Sequence, residues 1–333
     1  MPFLNTDIPE LKGFDTGLCL SNLEILIARQ DRVSESVLAI LSELCDAILR
    51  DAEGDPDTVD SILLSLQSIP DEEASEISDH PITASISPIN REALTKLSAR
   101  SGLHARLILY AMLEERTSSG APREKIPSAL PQSVRGRIAY MPAVFADKAY
   151  LALSAVVENP RAAATASFVD ACEEVRSGLC EYCILPLENS HSGKLTSFTR
   201  LILHYGLRIV GVCDLENGAA EGQITRFGLL RAAAGDVPAP LSLPTEGEPL
   251  YLEFVHTEDA IRLSDLLVAA EFCGLRLCRV DTLPSSDRGD GDEDTPSPID
   301  CIFNTVGGDL PTFRRFLTLE ASEGVILGVY STI

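Results

Sequence analysis

The sequence predicts an α/β layer preceded by an all-helical unit and followed by a ferredoxin-like βαββαβ unit. Three observations carry that prediction. Apolar residues recur at three- and four-residue spacings through the first ~120 positions, the mark of amphipathic helices. From Gly136 onward, short β-rich runs alternate with helical stretches, the pattern of an α/β sheet. After a Pro/Gly-rich joint at 232–249, six segments run strand, helix, strand, strand, helix, strand. A length of 333 residues accommodates two or three domains at about 150 residues each.

The elements follow in order. Leu23, Leu26 and Ile27, then Val33, Val37, Leu41, Leu44 and Ile48, place a helix within 20–50. Gly54 and Pro56 interrupt it, and 58–68 reads as a second helical piece. An acidic, Ser- and Pro-rich stretch at 70–88 reads as a linker. A helix over 90–116 follows, broken near Gly102. The helical unit thus spans 1–120, with a linker at 121–135. The α/β lobe covers 136–235. Its strands are expected at 137–141, at 181–187 (stopped by Pro186), at 207–215 and at 224–232. Its helices are expected at 145–157, at 168–177 with Gly178 as cap, and at 195–206 with Gly206 as cap. The βαββαβ tail occupies 248–333.

Composition narrows the function classes. Acidic residues number 50 and basic ones 27, so the formal charge is 27 − 50 = −23. Phosphate backbones and anionic membrane surfaces repel such a chain, which argues against nucleic-acid or membrane partners. A hydrophobic share of 45% supports an ordered core, and the lack of Trp makes that core largely aliphatic. No apolar run reaches the ~18 residues of a membrane span. The first residues lack the basic start and apolar stretch of a signal peptide. Nine scattered cysteines, an odd count, do not form a dense disulfide framework and read as reduced thiols of a cytoplasmic protein.

One block is more specific than the rest. Pro186-Leu187-Glu188-Asn189-Ser190, then Gly193, a helix and Ile209-Val210-Gly211, resembles the first lobe of the prephenate dehydratases, a periplasmic-binding-protein-like lobe. The triplet Thr225-Arg226-Phe227 resembles the Thr-Arg-Phe of that family, and the tail resembles the ACT domain that closes these enzymes. The resemblance covers Gly136 to Ile333 with gaps. It implies conversion of prephenate to phenylpyruvate with loss of water and carbon dioxide, without a cofactor or metal. It implies Thr225 as the catalytic hydroxyl. Asn189, Ser190, Glu188, Arg226 and Phe227 would line the substrate site. It further implies an amino-acid effector at the ACT-like unit, with Leu263, Asp281 and Thr282 at the effector-binding positions, and a homodimer or homotetramer. Aromatisation drives the reaction, so neutral hydroxyl and amide groups that hold a dicarboxylate and help the 4-hydroxyl leave suffice.

The departures from the family pattern matter as much. The family's opening loop carries Gly-Pro and two hydroxyl residues. Here Met141-Pro142-Ala143-Val144-Phe145-Ala146 lacks the Gly and both hydroxyls and is one residue short. A whole second lobe normally separates the strand ending near Glu216 from Thr225, whereas only 217–224 connect them here. In the tail, Ile261-Arg262-Leu263 stands for the family's Gly-Ala-Leu, and Asp281-Thr282-Leu283-Pro284 for its Glu-Ser-Arg-Pro. The N-terminal helices sit where some members carry a fused chorismate mutase, and Asn90-Arg91-Glu92 echoes that domain's Arg-Glu pair. Pro88 replaces the Asp expected three residues before the Arg, so a helical remnant or dimerisation module is the expectation.

Other constellations have plainer readings. Cys180-x-x-Cys183, with Cys172 and His191 nearby, lacks the second Cys-x-x-Cys of a structural zinc site and reads as small core side chains. The aspartates of 285–298 miss the calcium-loop pattern and read as a solvated insertion. Two functions stay open: a prephenate dehydratase, or a non-catalytic regulatory or scaffolding relative that kept the ACT-like dimerisation unit.

Overall fold

In the computed structural model, the described residues are 38–67 (apart from 40, 43, 51 and 54), 103–118, 133–217, 223–233, 249–257, 260–283 and 297–333. The chain divides into two units, residues 1–119 and 120–333. The expected linkers at 70–88 and 121–132, Asn90-Arg91-Glu92, the β5–β6 link at 218–222, the joint at 234–248, Pro284 and the acidic insertion up to 296 lie outside the described residues.

The first unit is helical where it is described: at 44–50, at α1 (Pro56–Gln67) and at α2 (Leu103–Ser118). Asp55 is the start signal of α1. Its carboxylate accepts from the Thr58 amide and hydroxyl, and Pro56 takes the first helical position, where no N–H is needed. The Asp-Pro pair read in the sequence as part of a break therefore opens the helix. Leu41, Leu44, Ile48, Val59, Leu107, Tyr110 and Leu113 are buried. Arg116 ties α2 to Asp46 and to Ser42 Oγ, the latter at 2.9 Å.

The second unit is mixed α/β. Its elements are β1 (Arg137–Tyr140), α3 (Val144–Ser154), β2 (Arg161–Ala164), α4 (Phe168–Arg176), β3 (Tyr182–Asn189), β4 (Gly193–Lys194), α5 (Thr196–Tyr205), β5 (Leu207–Asn217) and β6 (Gln223–Ala232). They continue with β7 (Leu250–His256), α6 (Leu263–Phe272), β8 (Arg276–Thr282), β9 (Ile299–Asn304), α7 (Leu310–Glu320) and β10 (Val325–Ser331). Capping explains several boundaries. Ser167 Oγ accepts from the Asp170 amide at the start of α4, and Gly206 ends α5 in the left-handed conformation. Asp309 caps α7 through the Thr312 amide and hydroxyl.

All ten strands form one sheet in the order β2-β1-β3-β6-β5-β10-β7-β9-β8, with β4 paired to β3. The first three are parallel; β6 runs antiparallel to β3 and β5. The tail strands stand in the order 4-1-3-2 with every neighbour antiparallel, as a ferredoxin-like βαββαβ unit requires. Lobe and tail are continuous because β10 lies parallel to β5. Gly328 pairs with Ile209, Val212 bridges Thr332, and the Ile333 amide donates to Val212 O at 2.8 Å.

Two elements differ from expectation. β3 does not stop at Pro186 but runs to Asn189. The β1 pairing ends at Cys183 and a register shift falls between Pro186 and Glu188, so the proline occupies a bulge, where its missing N–H is tolerated. β2, with the sequence Arg-Ala-Ala-Ala, carries almost no strand propensity and was not foreseen.

The sheet is covered on both faces in the lobe. Helix α3 packs with Ile138, Tyr182, Ile184, Val210, Phe227 and Leu229 on one face. Helices α4 and α5 pack on the other, in a core that runs from Cys183, Leu185 and Leu230 into Val255, Leu327 and Tyr330 of the tail. The sheet coils strongly. β3 and β8 stand six strands apart, about 29 Å in a flat sheet, yet Arg279 Nη1 of β8 lies 2.6 Å from Glu188 Oε2 of β3. The ordinary twist of strands, accumulated over six steps, turns the open face of the tail back onto the lobe. Among the described residues, no helix is long and apolar enough to cross a membrane.

Gly328 is the tightest point of the junction, since a Cβ there would strike the carbonyl and Cβ of Ile209. Gly328→Ala is expected to lower stability by about 1–3 kcal/mol, the usual cost of overpacking, measured by urea unfolding.

Candidate functional site

The two sequence motifs meet at the C-terminal end of β3. Asn189 pairs with Thr225 and Glu188 with Arg226, on adjacent rungs of the β3–β6 ladder, and β5 adds Leu215 and Asp214 to the same rungs. Successive residues of a strand face opposite sides, so the six predicted site residues fall into two groups.

The first group is neutral. Asn189 Nδ2 donates to Thr225 Oγ1 at 3.2 Å. Asn189 Oδ1 accepts from the His191 amide at 2.9 Å and from Gln223 Nε2 at 3.0 Å. The asparagine thereby closes a side-chain turn onto its own backbone. Ser190 fastens this turn to β6: its amide donates to Ile224 O at 2.8 Å and its Oγ accepts from the Ile224 amide at 2.9 Å. Phe227, two residues beyond Thr225 and on the same face, is buried in the α3-side core, and Leu215 packs against that core. The loop Met141-Pro142-Ala143 leaves β1 at the same end of the sheet, where the strands of an α/β sheet present ligand sites. It leads into α3, whose N-cap Ala143 makes no side-chain cap hydrogen bond. Nearby, Tyr140 stacks on Tyr150 at 5.0 Å, and burial, then Asp147, raises its hydroxyl pKa.

The second group is charged and faces the other side. Arg226 donates from Nε and Nη2 to the two oxygens of Asp214, each at 2.8 Å, a bidentate grip that raises its pKa further. Its Nη1 lies 4.0 Å from Glu188 Oε2, and that carboxylate is engaged at 2.6 Å by Arg279 Nη1. Arg279 Nε in turn meets Asp281 Oδ2 at 2.5 Å. Next to this chain of charges lies a second, more buried cluster. Lys194, its side chain only 10% exposed, pairs through Nζ with Glu253 and Asp300, which are 3% and 1% exposed. Tyr330 donates its hydroxyl to Glu253 Oε2 at 2.5 Å, and burial, then the Glu253 charge, pushes its pKa well up.

The expected effector positions are spread apart in role. Leu263 opens α6 and is half-buried. Asp281 and Thr282 end β8, where Asp281 holds Arg279 and Thr282 is exposed. Cys172, Cys180 and Cys183 are buried in the lobe core. Burial, then the Glu174 carboxylate 2.9 Å away, pushes the Cys180 thiol up to about 12. Sequence reasoning missed Arg279, Asp214, Lys194, Glu253, Asp300 and Tyr330. Glu253 and Asp300 did leave a signal: each is a carboxylate inside an apolar strand, and a carboxylate buried there needs a cation beside it.

No family model matches the chain, and no curated protein matches it. Solved structures do. The prephenate dehydratase from Streptococcus mutans aligns at 16% identity and a TM-score of 0.45, over 59% of this chain and 98% of that one. GqqA, described as a novel type of quorum quenching acylase, aligns at 21% identity and a TM-score of 0.42, over 59% and 94%. The prephenate dehydratase from Arthrobacter aurescens in complex with L-Phe aligns at 13% identity and a TM-score of 0.40, over 58% and 89%. These are likenesses of coarse fold.

Lys194→Met keeps the bulk of the side chain and strands two buried carboxylates. It is expected to destabilise the protein by about 3–5 kcal/mol, read from chemical unfolding beside the wild type.

Proposed function

We propose that this chain is a prephenate dehydratase-like protein that acts by binding and assembly rather than by turnover. The family half of this reading is supported by Pro186-Leu187-Glu188-Asn189-Ser190 and Thr225-Arg226-Phe227 lying on neighbouring strands in direct register. The non-catalytic half rests on one observation: the cations engaged with those motifs face the side of the sheet away from the Asn189–Thr225 rung. Arg226 is gripped by Asp214, Arg279 by Glu188 and Asp281, and Lys194 by Glu253 and Asp300. Prephenate carries two carboxylates, and holding them at Thr225 requires cationic or N–H donors on that same face. Each charge-assisted hydrogen bond forgone costs roughly 1.5–3 kcal/mol of binding. The hairpin that joins β5 to β6 closes between Asn217 and Gln223, too short a link to hold a second lobe that would exclude water from a cleft. In this reading the βαββαβ tail is an ACT-like unit. It pairs copies of the chain into dimers or tetramers and takes an amino-acid effector, in the cytoplasm.

The Asn189–Thr225 hydrogen bond favours a second reading. A hydroxyl fixed by an amide is suited to help the 4-hydroxyl of prephenate depart, which would make the chain a working dehydratase with Thr225 as the catalytic group.

Phenylpyruvate formation from prephenate at mildly alkaline pH, where spontaneous aromatisation is slow, separates the two. The expected result is a rate no greater than the uncatalysed one, unchanged in Thr225→Ala. Turnover that disappears in Thr225→Ala would overturn the proposal and establish the dehydratase.

A further inference from the structure

The coiled sheet encloses a cavity of about 190 Å³ between β6 of the lobe and the tail strands, lined by Arg226, Tyr251, Cys278, Arg279, Ile302 and Tyr330. It opens on the face opposite Thr225 and Asn189, so it is separate from the neutral rung. Its lining has two halves. One is cationic: among the described residues, the charged side chains on its wall are the two arginines. Both are held by carboxylates that are not among the cavity's lining residues. Asp214 takes Nε and Nη2 of Arg226, Asp281 takes Nε of Arg279, and Glu188 takes Nη1 of Arg279. Among the described residues, that leaves Nη1 of Arg226, 4.0 Å from Glu188, and Nη2 of Arg279 as the edges without a close carboxylate. The other half is apolar and aromatic. Tyr251 and Tyr330 stand with ring centroids 6.1 Å apart, and Ile302 is 8% exposed. The Tyr330 hydroxyl is turned away to Glu253, so its ring rather than its polar end is offered. Cys278 lines the cavity and is solvent-accessible. A register shift between Leu277 and Arg279 sets it apart from the ladder, and it is exposed while the other seven cysteines among the described residues are buried.

We propose that this cavity is a binding site for a compact carboxylate with an apolar body, the carboxylate between the Arg226 and Arg279 guanidinium groups and the body against Tyr251, Tyr330 and Ile302. Two pre-oriented guanidinium groups suit a carboxylate, since planar N–H forks match its two oxygens. A concave site with apolar and aromatic walls and a few convergent polar groups is the usual form of a small-molecule site, and this one is a small version with the polar share raised by its two arginines. Its volume limits the ligand to about the size of a single substituted ring. Glu188 is the internal competitor: its carboxylate already lies between the two arginines, so the ligand binds against it and removing its charge strengthens binding.

The cavity contains its own reporter. Alkylation of Cys278 by iodoacetamide in the full-length protein, followed by peptide mass mapping, measures access to the cavity wall at this residue. Benzoate is the probe. Acetate supplies the carboxylate without the body, and benzamide the body without the charge. The expected result is that 10 mM benzoate slows Cys278 alkylation at least fivefold while acetate and benzamide at the same concentration do not. Glu188→Gln is expected to lower the benzoate concentration for half-protection at least threefold, and Arg279→Gln to abolish protection. Equal rates with and without benzoate would overturn the proposal, as would equal protection by benzamide, weaker protection in Glu188→Gln, or a Cys278 that does not react at all. If Arg279→Gln does not fold, the comparison of benzoate with benzamide on the wild-type protein decides.

Discussion

The parallel seating of β10 against β5 is the constraint on which the rest of the second unit depends. It is a slender junction: one ladder pair at Gly328 and Ile209, a bridge from Val212 to Thr332, and one terminal amide bond. Yet it turns a six-stranded lobe and a four-stranded ferredoxin-like unit into one sheet. Only glycine lets the two backbones approach this closely. Once they are joined, strand twist accumulates across both parts, and β8 and β9 are brought back over β3 and β4. The ion pairs from Arg279 to Glu188 and from Lys194 to Glu253 and Asp300 are consequences of that coiling.

These ion pairs set what the site can do chemically. Buried charges must be paired, and a pair already made is costly to break. Lys194 of the lobe and Arg279 of the tail therefore tie the two parts together, and Arg226 is held by Asp214 within the lobe, while the neutral Asn189–Thr225 rung is braced by the turn at Ser190 and His191. One arrangement thus accounts for two properties: a motif pair kept in register, and a charge network turned inward. The cavity beneath the coil is where that network shows its remaining donor edges.

Much of this architecture was legible in the sequence. Gly178, Gly206 and the βαββαβ order carried local signals, since capping chemistry and strand–helix alternation act over a few residues. Pro186 misled because its cost depends on whether a neighbour strand needs its N–H, which is a tertiary fact. The Arg-Ala-Ala-Ala strand was invisible because its pairing with β1, not its composition, makes it a strand. At the site, the register of Asn189 with Thr225 could be suspected from the motifs alone. The division of Glu188 and Arg226 from Asn189 and Thr225 follows from simple alternation once strands run through both motifs. What no local pattern could reveal was the partner of each buried charge. Glu253 and Asp300 announce that a cation is needed, but Lys194 lies far away in sequence, and only the β5–β10 junction brings it there.

Native-state amide hydrogen exchange tests the claim that lobe and tail are one mechanical body. The account predicts that the amides of β5, β6, β10 and β7, with the Ile333 amide, exchange only through a single global opening with a common free energy. Tail amides that exchange through their own, lower-energy opening while β5 and β6 stay protected would contradict it, because the junction at Gly328 would then not bind the two parts together.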